Sequence, residues 1–135
     1  MPAAAMVTYL AANVGALTAG TNLFEGPVRP VGTGIPDKAV FVLATGGPAP
    51  EPFLAGDASS PDEERVHSLL IRVRSEPGEF NNGQTLARSV RDAAHRASVA
   101  GYLDVSIREC DPAYLGADDE GRHEWSIGVD MEIQE

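Results

Sequence analysis

Only one cysteine, Cys110, occurs in 135 residues. No intrachain disulfide can form, and one thiol cannot build a thiolate zinc cage. Cys110 is expected to be a small buried hydrophobe in a reducing compartment. Positive charge is also scarce: 10 basic residues stand against 20 acidic ones, a formal charge of −10. Duplex DNA carries about one negative charge per ~1.7 Å of axis, so a protein that grips it needs a basic face. The positives here are scattered among acids, which argues against specific nucleic-acid binding. Long hydrophobic runs are missing as well. The alanine-rich stretch 3–19 is broken by Thr8, Tyr9, Asn13 and Gly15, whereas a membrane span needs about 20 predominantly apolar residues. No basic region precedes that stretch, so neither a secretory signal nor a membrane partner is expected.

What is present fits a single domain over residues 1–135. Met6, Leu10, Val14 and Leu17 recur at helical spacing and predict a helix over 3–19, closed by Gly20. Residues 22–37 hold too many glycines and prolines for regular structure and read as loop. A short β-branched run predicts a strand over 38–44. Residues 45–65, proline-rich and then acidic, read as a long flexible loop with Phe53 and Leu54 as its only large apolar residues. A strand over 66–75 follows, with Leu69, Ile71 and Val73 on one face and Leu70, Arg72 and Arg74 on the other.

Leu86, Val90, Ala93, Ala94 and Ala97 line one side of a predicted helix over 82–100. Two strands close the chain. In the first, Leu103, Val105 and Ile107 form the apolar set; in the second, Trp125, Ile127, Val129, Met131 and Ile133 do. Residues 110–121 between them read as a loop too long for a tight hairpin, ending in an Asp119-Glu120-Gly121 turn. The pattern is α+β: a four-stranded, mainly antiparallel sheet with both helices on one face. The other face, carrying Arg72, Arg74, Asp104, Arg108, Glu124, Asp130 and Glu132, is left for water or a neighbour.

Convergent catalytic groups are thin. The histidines are His67, His95 and His123. Asp119, Glu120 and His123 would be the best metal set, but they fall on a predicted turn where acids favour solvent. His95 reads as a satisfied surface or boundary histidine. No Gly-x-Ser-x-Gly elbow is present, and the glycines at 32, 34, 46 and 47 lack the lysine and spacing of a P-loop. No catalytic residue, metal or cofactor is expected. Tyr114 and Leu115, flanked by acids, read either as an apolar anchor inside a polar rim or as two residues that fold back onto their own core.

Several segments taken together resemble the tail-terminator and minor capsid proteins of long-tailed bacteriophages. They are Asn22-Leu23-Phe24-Glu25-Gly26-Pro27 after an N-terminal helix, a strand ending in Thr45-Gly46-Gly47, Ile71-Arg72-Val73-Arg74, a helix, and Tyr114-Leu115-Gly116-Ala117-Asp118-Asp119-Glu120-Gly121-Arg122 leading into Trp125-Ser126-Ile127. The resemblance implies a virion protein made in the host cytoplasm and forming a homo-hexameric ring at the head-proximal end of the tail tube. Its partners would be further copies of itself, the tail-tube protein and the head-completion or connector proteins, with phage DNA passing through unbound. Assembly contacts are then expected from Tyr114, Leu115, Asp118, Asp119, Arg72, Arg74, Phe53 and Leu54. The alternatives are a head-completion or neck protein, a small metal-dependent enzyme using Asp119, Glu120 and His123, and a cytosolic ligand-binding oligomer. A buried apolar pocket with convergent polar groups would mark the last of these.

Overall fold

The computed structural model describes residues 2–30, 32, 34–46, 51–52, 63–95, 97–99 and 101–134. In chain order the elements are α1 (Pro2–Asn13), β1 (Leu23–Glu25), β2 (Ala39–Gly46), β3 (Glu51–Pro52), β4 (Glu63–Pro77), α2 (Phe80–Ala94), β5 (Asp104–Ile107), β6 (Ala113–Ala117) and β7 (Arg122–Gln134). The strands form one mixed sheet in the order β1-β2-β4-β7-β5, with β3 beside β4 and β6 beside β7. Only β1 and β2 run parallel; the other pairs are antiparallel.

Among the described residues the sheet therefore has seven strands rather than four, six of them of three residues or more plus the two-residue β3. The additional strands lie inside segments expected to be loops. β1 is three residues long and owes its place to β2, where Leu23 pairs with Val40 and Phe24 with Phe41. β6 lies within the expected 110–121 loop, and its register against β7 shifts between Tyr114 and Gly116. A bulge of this kind breaks the two-residue alternation by which a strand is recognised. Of the expected 45–65 loop, Thr45 and Gly46 end β2, residues 51–52 form β3, and residues 63–65 begin β4. The rest of it lies outside the described residues.

β4 and β7 are the spine. Their register places Ile71 opposite Ile127 and Val73 opposite Trp125, so the odd-numbered apolar residues of both strands share one face. Both helices pack on that face. Met6, Leu10, Leu86, Val90 and Ala94 join Leu69, Ile71, Val73, Trp125, Ile127, Val129 and Met131 in one buried cluster. α1 ends at Asn13, short of residue 19, and the Asn13 Nδ2 donates to the Tyr9 carbonyl. Val14 and Leu17 still reach the core from the following turn. α2 stops at Ala94 rather than 100, with His95 in extended backbone, while Ala97 and Val99 remain buried beyond it. Gly83 is where α2 meets the sheet most closely: a Cβ there would lie 2.6 Å from both the Ser75 Cβ and the Trp125 ring.

The opposite face is not uniformly wet. The connection from β1 to β2 folds back across it and makes a second small core, in which Val28 and Ile35 pack on Phe24, Ala39 and Phe41. Phe24 and Phe41 stack at 5.6 Å between centroids. Arg74, expected on the wet face, is only 4% exposed. Its guanidinium lies over Phe41 and donates to the carbonyls of Arg29, Pro36 and Asp37. A buried charge needs such partners, because an unpaired one is costly. Burial lowers its pKa, with the Arg122 charge adding to the effect and Glu124, Asp37 and Asp118 opposing it. Arginine nonetheless stays protonated in proteins. Arg74 is thus a latch on the strap rather than an exposed contact.

Candidate assembly surface

β5 and β6 lie in line along the same edge of β7: Val105 faces Met131 and Ile107 faces Val129, then Ala113 faces Ser126 and Tyr114 faces Trp125. They are two halves of one edge strand, separated by residues 108–112. Two neighbouring side chains anchor the interruption. The Glu109 carboxylate accepts from the Gly128 amide at 2.8 Å, and the Arg108 guanidinium lies across Gly128, where a Cβ would meet it at 2.7 Å. Glycine at 128 makes room for that crossing.

The β6–β7 hairpin is closed by a short turn rather than a long loop. The Asp118 carboxylate accepts from the amides of Glu120 and Arg122 and from the Arg122 Nε at 2.9 Å. The second arm of Arg122 reaches Asp37 at 2.9 Å, tying the turn to the strap. Burial works against the Asp118 carboxylate, but the Arg122 amide and guanidinium and the Glu120 amide outweigh it, so its pKa lies below the ordinary carboxylate range. Gly121 supplies the left-handed residue at φ 78°.

Along this edge lie the three exposed large hydrophobic residues found among the described ones: Leu103 at 62%, Tyr114 at 48% and Leu115 at 49%. The Tyr114 ring is nonetheless held. It packs edge-on to Phe80 at 5.3 Å and lies 5.6 Å from Trp125, and its hydroxyl is 2.7 Å from the His123 Nδ1. His123 is thereby part of an aromatic cluster, while Asp119 and Glu120 are exposed on the turn. Among the described residues no group of three or more His, Cys, Asp and Glu side chains is placed to hold a metal ion.

The expected contact residues are therefore scattered. Tyr114, Leu115, Asp118 and Asp119 lie on or beside β6. Arg72 is on the opposite face of the sheet, partly buried and 3.3 Å from Glu124. Arg74 is beneath the strap. Phe53 and Leu54 lie outside the described residues. Leu103, expected on the buried face, is exposed instead because it precedes the first paired residue, Asp104. Its amide still donates to the Glu132 carbonyl. Cys110 is exposed rather than buried, since it falls in the interruption. His95 is partly buried, and its Nδ1 has no hydrogen-bond partner among the described residues.

Sequence reasoning missed the Phe80–Tyr114–His123–Trp125 cluster. The signal for it was the turn: residues on either side of Asp118–Gly121 pair across it, which brings Tyr114 to Trp125. A groove of about 410 Å³ lies between the end of α1 and α2, lined by Asn13, Val14, Lys38, Asn82, Thr85 and Ser89 among others. Asn13, Asn82 and Ser89 are exposed, so it is a surface groove rather than the buried apolar pocket that a small-ligand carrier would display. Among the described residues no helix is long and apolar enough to cross a membrane.

No protein-family model matches the chain, and no curated protein matches it. Among solved structures, a chain of the virion of a native gene transfer agent particle has a similar fold. The TM-score is 0.58 at 18% identity, over 93% of this chain and 84% of that one. At that identity the likeness is one of fold.

Proposed function

We propose that this chain is a structural protein of a phage-like virion, and within it a tail terminator. In this reading six copies close into a ring at the head-proximal end of the tail tube, stop its polymerisation and join it to the head connector. The observation that carries the reading is the fold shared over nearly the whole chain with a protein of a gene transfer agent virion. The whole chain acts as one domain that assembles and catalyses nothing. A heterologous surface repeated around an axis closes a ring when the rotation allows, and the sheet edge with Tyr114 and Leu115 exposed is left for a contact with another protein of the particle.

Charge supports the same reading. Six copies of a chain at −10 carry about −60, and a surface of that sign repels phosphate. DNA passing such a ring releases no counterions on contact and does not adhere. The test is to add the purified chain to polymerising tube subunits from its own particle. Terminator action shortens the tubes and leaves the chain at one end of each, as seen by electron microscopy. Tubes of unchanged length with no chain at their ends would overturn the terminator role.

A further inference from the structure

Among the described residues the outer edge of β6 has no partner strand, because β6 pairs with β7 alone. The residues around it have an unusual charge. Residues 103–121 hold six carboxylates against Arg108 alone, a net −5 and half of the formal −10 of the whole chain. Arg88 and Arg122 approach Asp111 and Asp118 from α2 and β7. Asp104, Asp119 and Glu120 have no ion-pair partner among the described residues, and the Glu109 carboxylate accepts only the Gly128 amide. Leu103, Tyr114 and Leu115 stand exposed in the midst of these acids. An unpaired strand with apolar side chains and an acidic rim accepts an added strand of opposite charge.

We propose that the β5–β6 edge binds, by strand addition, an extended segment of a different protein in which apolar residues alternate with lysine or arginine. The inference deepens the assembly reading above and rests on it for the kind of partner, another protein of the particle. A second copy of this chain does not fit, because among the described residues no such segment is free. Of the cations whose side chains are described, Arg72, Arg88, Arg91, Arg108 and Arg122 face carboxylates. Arg74 is buried under the strap, which leaves Arg29 and Lys38. Arg29 lies over Phe24 at the far edge of the sheet, where β1 also presents Glu25. Ile71-Arg72-Val73-Arg74 has the required alternation but lies in β4, between β2 and β7. Residues 47–62 contain no lysine or arginine.

The test uses three synthetic peptides of about ten residues, long enough to span the edge. One alternates valine and lysine, one valine and glutamate, and one is the lysine peptide with prolines at alternate positions. Trp125, the only tryptophan, lies 5.6 Å from Tyr114 and reports binding by its fluorescence. The lysine peptide is expected to bind the native chain, and to weaken about tenfold or more as salt rises from about 0.05 to about 0.5 M. Tyr114→Ser with Leu115→Ser, checked for a native melting curve, is expected to weaken it by about tenfold or more. Asp104→Lys with Asp119→Lys and Glu120→Lys is expected to transfer preference to the glutamate peptide. Absence of binding, equal binding of the two charged peptides, or undiminished binding of the proline peptide would overturn the proposal. So would a dimer of the native chain that Tyr114→Ser with Leu115→Ser abolishes, since a second copy would then occupy the edge. If the chain caps tubes but its edge ignores the lysine peptide, strand addition fails and the terminator reading survives. If the peptide binds but tubes are never capped, the reverse holds.

Discussion

The two edges of the sheet are finished in opposite ways. At the β1 edge the chain folds back as a strap, buries Phe24 and Phe41 beneath Val28 and Ile35, and fastens itself with Arg74. At the β5–β6 edge no described residue covers the strand, and Tyr114 and Leu115 stand half-exposed among acids. Edge strands invite further pairing, and proteins usually blunt them by covering, shortening or charging them. Here one edge is cut to a three-residue strand with the strap packed over its face, and the other is charged. The first device serves folding; the second, on the strand-addition proposal, leaves a surface for contact and selects what can approach it.

The contrast breaks most severely at Trp125, which lies under the open edge and anchors it to the core. Trp125→Ala is expected to cost about 3–5 kcal/mol, read from the denaturant midpoint; a native-like midpoint would show that the edge has no such anchor. Arg74→Met tests the closed edge. It leaves the carbonyls of Arg29, Pro36 and Asp37 without their donor and is expected to cost about 2–3 kcal/mol, with faster hydrogen exchange in the strap than in β7. Uniform exchange would mean that the strap does not depend on the latch. Tyr114→Ala with Leu115→Ala is expected to cost only about 1 kcal/mol, mostly from the lost ring contacts with Phe80 and Trp125. A loss as large as that of Trp125 would place both residues in the core rather than on a surface.

Acid separates the edges more gently. The folded pKa of Asp118 is depressed, so its contribution is complete above the unfolded carboxylate value of about 4 and is lost as pH falls through the lower folded value. The β6–β7 turn is therefore expected to loosen below about pH 4, and with it the Arg122–Asp37 tie, while the rest of the strap, held by a permanently charged Arg74 on backbone carbonyls, loosens less. Equal loosening of both, followed by resolved amide signals, would remove the distinction.

The closed core was the more legible part of the molecule. Leu69, Ile71 and Val73 alternate with Leu70, Arg72 and Arg74, and Trp125, Ile127, Val129 and Met131 keep the same two-residue period, so the buried face of β4 and β7 could be read directly. The apolar stripe Met6, Leu10, Val14 and Leu17 is buried as its spacing requires, although the helix ends before Val14. β1 was hidden because three residues carry no period of their own. β6 was hidden because its register shifts at Leu115. Arg74 was misplaced for a different reason. Alternation assigns a side chain to a face, but only the tertiary path of the β1–β2 connection decides whether that face is wet. Tyr114 and Leu115 were legible as exposed apolar residues, whereas their place on an unpaired strand required β7.

The most direct test of the central claim is subunit-resolution imaging of the assembled particle. The account predicts six copies of this chain around the tail axis at the head-proximal end of the tube, with the β5–β6 edge at a protein contact. Density placing the chain away from that axis, or leaving Tyr114 and Leu115 facing solvent in the particle, would contradict it.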